Sequence, residues 1–322
     1  MAKIICGVDV SSQFLDVFLN PRCQRFPNTV AGIADLLALC QQHHVDLVAV
    51  EASGGYERRM YRQLWAAAGL PVALCNARAV RDFAKSMGRL EKTDPIDAAL
   101  IAEYAAANQK LVAHPPQSSA HDQLRALVTR LRQLTETRAT QLQQRLLVTD
   151  PVVLETFTRL LAFLTSEIRQ LQDRIAQLID ADPLWHHLDH AFRSIKGVAD
   201  RTVACLMAEL PEIGTLSHKA VSKLVGLAPL ADESGRRHGR RSIRGGRATV
   251  RHLLFIVASV VRRYHPDFAA FSQRLAAAGK AKKVILVALA HKLLIRLNAK
   301  ARDARRQLLP MASLPLTTTI PS

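Results

Sequence analysis

The chain has 322 residues, 49% of them apolar and 22% charged, and a formal net charge of +17. That length accommodates two or three domains, each with its own core, and that apolar content excludes a disordered chain. Its five cysteines, none spaced as C-x-x-C, argue against a disulfide framework or a structural zinc site and fit a reducing cytosol, and the lack of any charge-free apolar run of about 18 residues argues against a membrane span.

The first elements are strands. "KIICGVDV" (3–10) and "FLDVFL" (14–19) are short, β-branched-rich runs separated by "SSQ", and they predict a hairpin with a third strand near Cys23–Phe26. The N-terminal run carries an aspartate and no small-residue cleavage site, so it is not read as a signal peptide. "VAGIADLLALCQQHH" has helical apolar spacing, and the buried strand "VDLVAV" after it ends at Glu51. A helix over about Glu57–Ala68, the strand "PVALCN" and further helices to about Asn108 complete an α/β unit over residues 1–112.

"HPPQSS" (114–119) marks a boundary. Beyond it Leu124, Leu127, Leu131, Leu134, Leu142 and Leu146 recur at helical or near-heptad spacing, "TDP" (149–151) breaks the run, and a second amphipathic helix reaches about Ile179. This predicts a helical hairpin with coiled-coil character over residues 113–190, its leucines serving either a bundle core or an intermolecular pairing. Residues 191–302 read as mostly helical and basic, and 303–322 as a disordered tail. The expected fold class is therefore α/β plus all-α.

The charge is concentrated. Residues 1–110 carry 12 Lys/Arg against 11 Asp/Glu, residues 111–190 carry 8 against 9, and residues 191–322 carry 24 against 7. A focused basic domain beside two neutral ones implies a polyanionic partner, nucleic acid first.

Two constellations point to chemistry. Asp9 lies in the first strand, Glu51 ends a buried strand, and "KTDPIDA" places Asp94 and Asp97 three apart on one helical face, with Asp94 also suited to cap the helix before Pro95. A carboxylate ending a buried strand needs a partner or a metal, and four of them can hold two hard cations such as Mg2+, about 3.5–4 Å apart, that clamp both sides of a phosphoryl transfer. No G-x-x-x-x-G-K-[ST] loop is present and "DVSS" lacks a phosphate-cradling glycine, which argues against ATP-dependent chemistry. The second constellation is "DESGRRHGRRSIRGGRATVR" (232–251), in which Ser234 and Gly235 head a strip containing Arg236, Arg237, Arg240, Arg241, Arg244 and Arg247. On local sequence it is a flexible Ser-Gly turn leading a phosphate-binding strip, or a serine to which arginines deliver a phosphate. Ser242 is a second candidate, and His238 is placed either to move a proton or to touch phosphate.

The set "GVDVSS", "VEASGGYE", "KTDPIDA", "GLAPLADESGRRHGRRSIRGGRATVRHLL" and "GKAKKVILVALAHKLLIRLNA" resembles, over nearly the whole chain and in order, the DEDD transposases of the insertion sequence 110 family, also called bridge-RNA-guided recombinases. The resemblance implies an RNase H-type, RuvC-like first domain whose Asp9, Glu51, Asp94 and Asp97 bind magnesium, and a basic second domain whose Ser234 is the nucleophile. It further implies donor and target DNA and a structured non-coding guide RNA as partners, in the cytoplasm of a bacterium, at the nucleoid. Exchange of strands between two duplexes calls for a homo-oligomer, a dimer or a dimer of dimers, with subunits sharing the reacting site. "SIKGVADRTVACLMAEL" is similar to a helix-hairpin-helix, but Ala199 stands where the second glycine of its turn belongs, which puts its grip on phosphate in question. The competing readings are a metal-dependent nuclease or resolvase in which water attacks, and a non-catalytic nucleic-acid-binding scaffold.

Overall fold

The computed structural model describes residues 3–52, 54–89, 94–231, 233–234, 237–238 and 241–308. The chain forms two compact units, Met1–Gln117 and Ser118–Ser322. The first is the expected α/β unit. Its elements are β1 (Ile5–Val10), β2 (Phe14–Leu19), β3 (Arg22–Pro27), α1 (Val30–Gln42), β4 (Leu47–Glu51), α2 (Arg58–Ala68), β5 (Val72–Cys75), α3 (Ala77–Ser86) and α4 (Asp94–Ala107). The sheet order is β3-β2-β1-β4-β5, with β1–β3 an antiparallel meander and β4 and β5 parallel to β1. Thr29 and Asn76 cap α1 and α3 with their side chains, each satisfying helix N–H groups that have no intrahelical acceptor.

Both faces of this sheet are covered, so its central strands are apolar on both sides. Cys6, Val8, Val10, Val48 and Val50 pack against Ile33 and Leu36 of α1 and Met60 and Leu64 of α2. The alternate residues, Ile5, Ala49 and Cys75, pack with Val80 and Ala84 of α3 and Leu100 and Ile101 of α4. Gly7 faces the same way, and α4 lies directly on it. A Cβ there would overlap the Ala98 carbonyl oxygen and stand 2.7 Å from the Ala102 nitrogen. Gly7→Ala is therefore expected to push α4 off the sheet and to cost about 1–3 kcal/mol of stability, the usual range for overpacking. Urea unfolding of the two proteins measures it.

The second unit comprises α5 (Ser119–Arg145), α6 (Pro151–Ala181), α7 (Pro183–Arg193), α8 (Asp200–Glu209), α9 (His218–Val225), the hairpin β6 (Glu233–Ser234) and β7 (Arg237–His238), α10 (Ala248–Tyr264), α11 (Pro266–Ala277) and α12 (Lys282–Leu308). The "TDP" break works as its residue types dictate: Asp150 accepts from the Val152 and Val153 amides and Pro151 opens α6. The α5–α6 hairpin does not stand apart from the later helices. Leu124, Leu131, Ile175 and Ile179 belong to the same core as α7, α8, α10 and α12, while Leu146, Leu147 and Val152 at its tip are exposed.

α12 is the axis of that core, burying Leu289, Leu293, Leu297 and Ala301 completely. The expected tail from 303 is corrected here: α12 runs on through Leu308. Ala301 and Ala304 continue its buried stripe, and Arg305 donates from Nε to the Ile213 carbonyl at 2.9 Å and from Nη2 to the Pro211 carbonyl at 2.8 Å. Small residues at helical spacing bring the backbone close enough for the arginine to hold a loop. Residues 309–322 lie outside the described residues. Among the described residues no helix is long and apolar enough to cross a membrane.

Candidate functional site

In the first unit, strand parity gathers the carboxylates. β1 and β4 pair in parallel up to Val8 and Val50, and one step further along these strands stand Asp9 and Glu51. Asp9 follows Gly7 by two residues and Glu51 follows Ala49 by two, so both project on the face that α4 covers. Both are partly buried, and Asp9 accepts from the Val10 amide at 3.0 Å. Glu51 pairs in register with Cys75. The Cys75 thiol is pushed up to about 11, first by burial and then by the negative charge of Glu51, which sets the Glu51 carboxylate beside it. Asp97 lies one turn before Ile101 on α4 and is nearly buried, its Oδ1 3.8 Å from Nη2 of Arg81. Asp94 is the first residue of α4.

A further acidic residue on this face is Asp16, which is not among the sequence-predicted ligands. It is the cross-strand partner of Asp9 on β2 and is 8% exposed. Arg25 on β3 donates to both its oxygens, Nε at 2.8 Å and Nη2 at 3.0 Å. The fork neutralises Asp16 and keeps it from adding a bare charge next to Asp9. The alternation of "FLDVFL" is the signal that could have found it, since it sets Asp16 opposite in parity to the buried Leu15 and Val17.

The structure thus brings Asp9, Glu51 and Asp97 to one face and opens α4 with Asp94. Among the described residues, no three His, Cys, Asp or Glu groups stand close enough to hold one ion. The donor set is all carboxylate oxygen, the chemistry magnesium takes, and it sits at the carboxyl ends of two adjacent parallel strands. Of the described carboxylates on this face, Asp9, Glu51 and Asp97 are the ones that could offer oxygen to such an ion.

In the second unit the arginine strip is an excursion between α9 and α10. Leu230 and Ser242 form a bridge, each amide donating to the other's carbonyl, and further out β6 and β7 pair with Ser234 opposite Arg237. Ser234 is therefore the last residue before the reversal of a short ribbon. Arg236 and Arg240 lie outside the described residues. Arg241 and Arg244 are exposed. Arg247 is different, because its guanidinium is held by protein groups. Its Nη1 and Nη2 each reach one oxygen of Glu212 at 2.5 Å, and Nη1 also donates to the Glu209 carbonyl at 2.9 Å. Burial pushes the Glu212 carboxyl up, but the hydrogen bonds and charge of Arg247 outweigh it and hold Glu212 below its ordinary value. A guanidinium engaged in this way is an anchor.

The stretch similar to a helix-hairpin-helix (194–210) folds as the tight turn that follows α7 and then α8. Ala199 gives no side-chain cap, and Asp200 in the first turn of α8 is paired with Arg193. That carboxylate already answers the positive end of the helix. The rings of His186 and His190 meet edge to face with centroids 4.7 Å apart, without a third ligand group among the described residues.

His121 of α5 is 6% exposed, near Arg125, Glu209, Glu212 and the Met207 carbonyl. Burial, helped by the charge of Arg125, holds its pKa below the ordinary histidine value against the pull of the Met207 carbonyl and the two glutamates. The unfolded chain takes up a proton at about pH 6.5 that the folded chain refuses. The contribution to stability is thus complete above that pH and is lost as the pH falls below it. His121→Leu is expected to flatten the decline of stability between pH 7 and pH 5, read by urea unfolding at each pH.

Comparison with known proteins finds relatives of both units. Residues 6–149 match the transposase family DEDD_Tnp_IS110, and residues 189–273 match the family described as Transposase IS116/IS110/IS902 family. The chain is 29% identical to the "Pilin gene-inverting protein" of Moraxella bovis, over 95% of this chain and 98% of that protein. It is 28% identical, with the same coverage, to the protein of that name from Moraxella lacunata. Among solved structures, that of Thermus thermophilus RuvC is matched over 34% of this chain and 99% of that chain at 13% identity, with a TM-score of 0.26.

Proposed function

From a chain that carries two IS110-family transposase domains in order, we propose a DNA recombinase that cleaves and rejoins strands through Ser234, with the carboxylates of the first unit as its magnesium site. The observation that carries this reading is the position of Ser234: the last residue before the turn of an arginine-rich ribbon, within residues 191–322, which hold the entire +17. The Moraxella relatives are named for gene inversion, which is a rearrangement of DNA.

In this reading the Ser234 oxygen bonds to phosphorus as the bond to the leaving strand's oxygen breaks, and the serine proton passes to that oxygen. One phosphate ester replaces another, so the linkage is conserved and a second strand's hydroxyl reverses the step without ATP. Serine is a poor nucleophile at neutral pH, and Arg236, Arg237, Arg240, Arg241 and Arg244 offset the charge that builds on the phosphoryl oxygens. Magnesium, held by Asp9, Glu51, Asp94 and Asp97, would supply a Lewis acid to the same chemistry. The partners are donor and target DNA and a structured non-coding RNA that chooses between sequences. The assembly is a dimer or a dimer of dimers, for which the exposed Leu146, Leu147 and Val152 at the hairpin tip offer apolar surface.

A purified complex with its co-purifying RNA sequenced tests the guidance. Exchanging that RNA for one altered in its pairing segments is expected to redirect cleavage to the new match. An unchanged target means that the protein itself reads the bases. Neutralising Arg241 and Arg244 together should weaken nucleic-acid binding across all sequences and reduce its salt dependence, because phosphate contacts carry no sequence information. Salt-series filter binding reads both effects. The second reading, a nuclease in which water attacks, is favoured only by the carboxylates, and a covalent adduct separates the two.

A further inference from the structure

The segment that carries Ser234 leaves α9 and returns to α10 through a narrow neck. Gly226 ends α9 with φ +77°, and Gly246 has φ +66°. The two backbones touch: a Cβ on Gly246 would stand 2.5 Å from the Gly226 nitrogen and 2.6 Å from the Leu224 carbonyl oxygen. Only glycine combines that conformation with that approach. The Arg247 amide donates to the Leu224 carbonyl at 2.9 Å, and Nη1 of Arg251 donates to the carbonyls of Val225 and Gly245, bridging the outgoing and returning chains.

Arg247 fastens the neck outside itself, to the Glu209 carbonyl and to the Glu212 carboxylate. The Arg247 fork closes on Glu212, which lies in the α8–α9 connection. That connection is in turn held by α12. Asn298, fully buried, accepts from the Gly214 amide at 2.8 Å and donates to the Leu216 carbonyl at 3.0 Å, and Arg305 holds the carbonyls of Pro211 and Ile213. A continuous chain of directional bonds thus runs from the core helix α12 through Glu212 and Arg247 to the base of the ribbon.

We infer that Glu212 is a positioning residue for Ser234, acting through Arg247 to fix where the serine-bearing ribbon leaves the core. The inference rests on the proposed role of Ser234. Nucleophilic attack tolerates little displacement, since a misplacement of about 1 Å can cost about 100-fold in rate. Two parallel N–H···O bonds fix direction as well as distance, which a single lysine contact cannot do.

The test uses the full chain with its co-purifying RNA and nicked suicide duplexes built from the sequences flanking its gene. Single-turnover formation of the protein–DNA adduct at Ser234 is measured at saturating DNA for the wild type, Glu212→Gln and Arg247→Lys. Amide exchange across the bridge residues Leu230 and Ser242 is followed in parallel. The expected result is an adduct rate lowered by about tenfold or more in both variants, with half-saturating DNA unchanged and exchange at the bridge accelerated. Partial recovery in the charge-swapped Glu212→Arg/Arg247→Glu protein adds support. A wild-type adduct rate in a folded Glu212→Gln protein overturns the inference, whether or not exchange accelerates. If Glu212→Gln does not fold, Arg247→Lys decides by the same criterion. Should the wild type form no adduct at Ser234, the serine reading itself has failed, and the exchange data alone judge the fastening: unchanged exchange in Glu212→Gln overturns it, faster exchange upholds it.

Discussion

Ser234→Ala is expected to abolish strand cleavage, by about 10^4-fold or more, while the fold and nucleic-acid binding stay intact. Loss of a nucleophile removes the bond-making atom itself, and what remains is the modest catalysis of binding and charge stabilisation. Binding survives because phosphate affinity comes from many cationic contacts, of which the hydroxyl is none. Ser234 lies at the outer end of a two-stranded ribbon whose register is set by backbone bonds and by the Leu230–Ser242 bridge, so the missing oxygen leaves that pairing in place. The decisive readout is mass spectrometry of the wild-type protein after a suicide duplex: a DNA–peptide adduct on the peptide containing Ser234. An adduct on Ser242 or elsewhere, or unimpaired cleavage by the alanine protein, removes the assignment. Cleavage without any adduct favours water as the attacking group.

The second large effect is expected at the carboxylates. Asp9→Asn, Glu51→Gln and Asp97→Asn should each lower magnesium-dependent cleavage by orders of magnitude, and chelation with EDTA should do the same to the wild type. These substitutions keep shape and remove charge, so a fall in rate reports on the metal and not on packing. Stability should fall little or rise. Asp9 and Glu51 are partly buried carboxylates on one face, and like charges gathered in a low-dielectric setting repel. Asp97 has Arg81 as a counter-ion, so its amide variant leaves an arginine without its partner and should be the least stable of the three. Thermal unfolding with and without magnesium checks this: the ion should stabilise the wild type and lose that effect in each variant. Full activity in EDTA removes the metal site.

Local pattern determined much of this protein. The two-residue side-chain period of "KIICGVDV", "FLDVFL" and "VDLVAV" is a backbone property that fixes which residues of each strand share a side, and the pairing register then sets Asp9, Asp16 and Glu51 on one face. The cap and proline of "TDP" decide where α6 begins, because they act within one helical turn. The uneven distribution of charge needs no structure to be seen. Tertiary structure decided what depends on partners distant in sequence. Within one strip of arginines the sequence offers no way to separate Arg247 from Arg244; only the arrival of Glu212, 35 positions away, turns the one into an anchor while the other stays exposed. Asp16 looks like a third strand carboxylate until Arg25 folds back on it. The end of α12 was hidden because its last turns are small and charged, and only the carbonyls of Pro211 and Ile213 give Arg305 a reason to be ordered. Gly7 reads as a weak point in a strand until α4 is laid across it. The reason is common to all four: propensity and alternation act over a few bonds, whereas a guanidinium or a missing Cβ acquires its role from whichever groups the closed chain brings within contact.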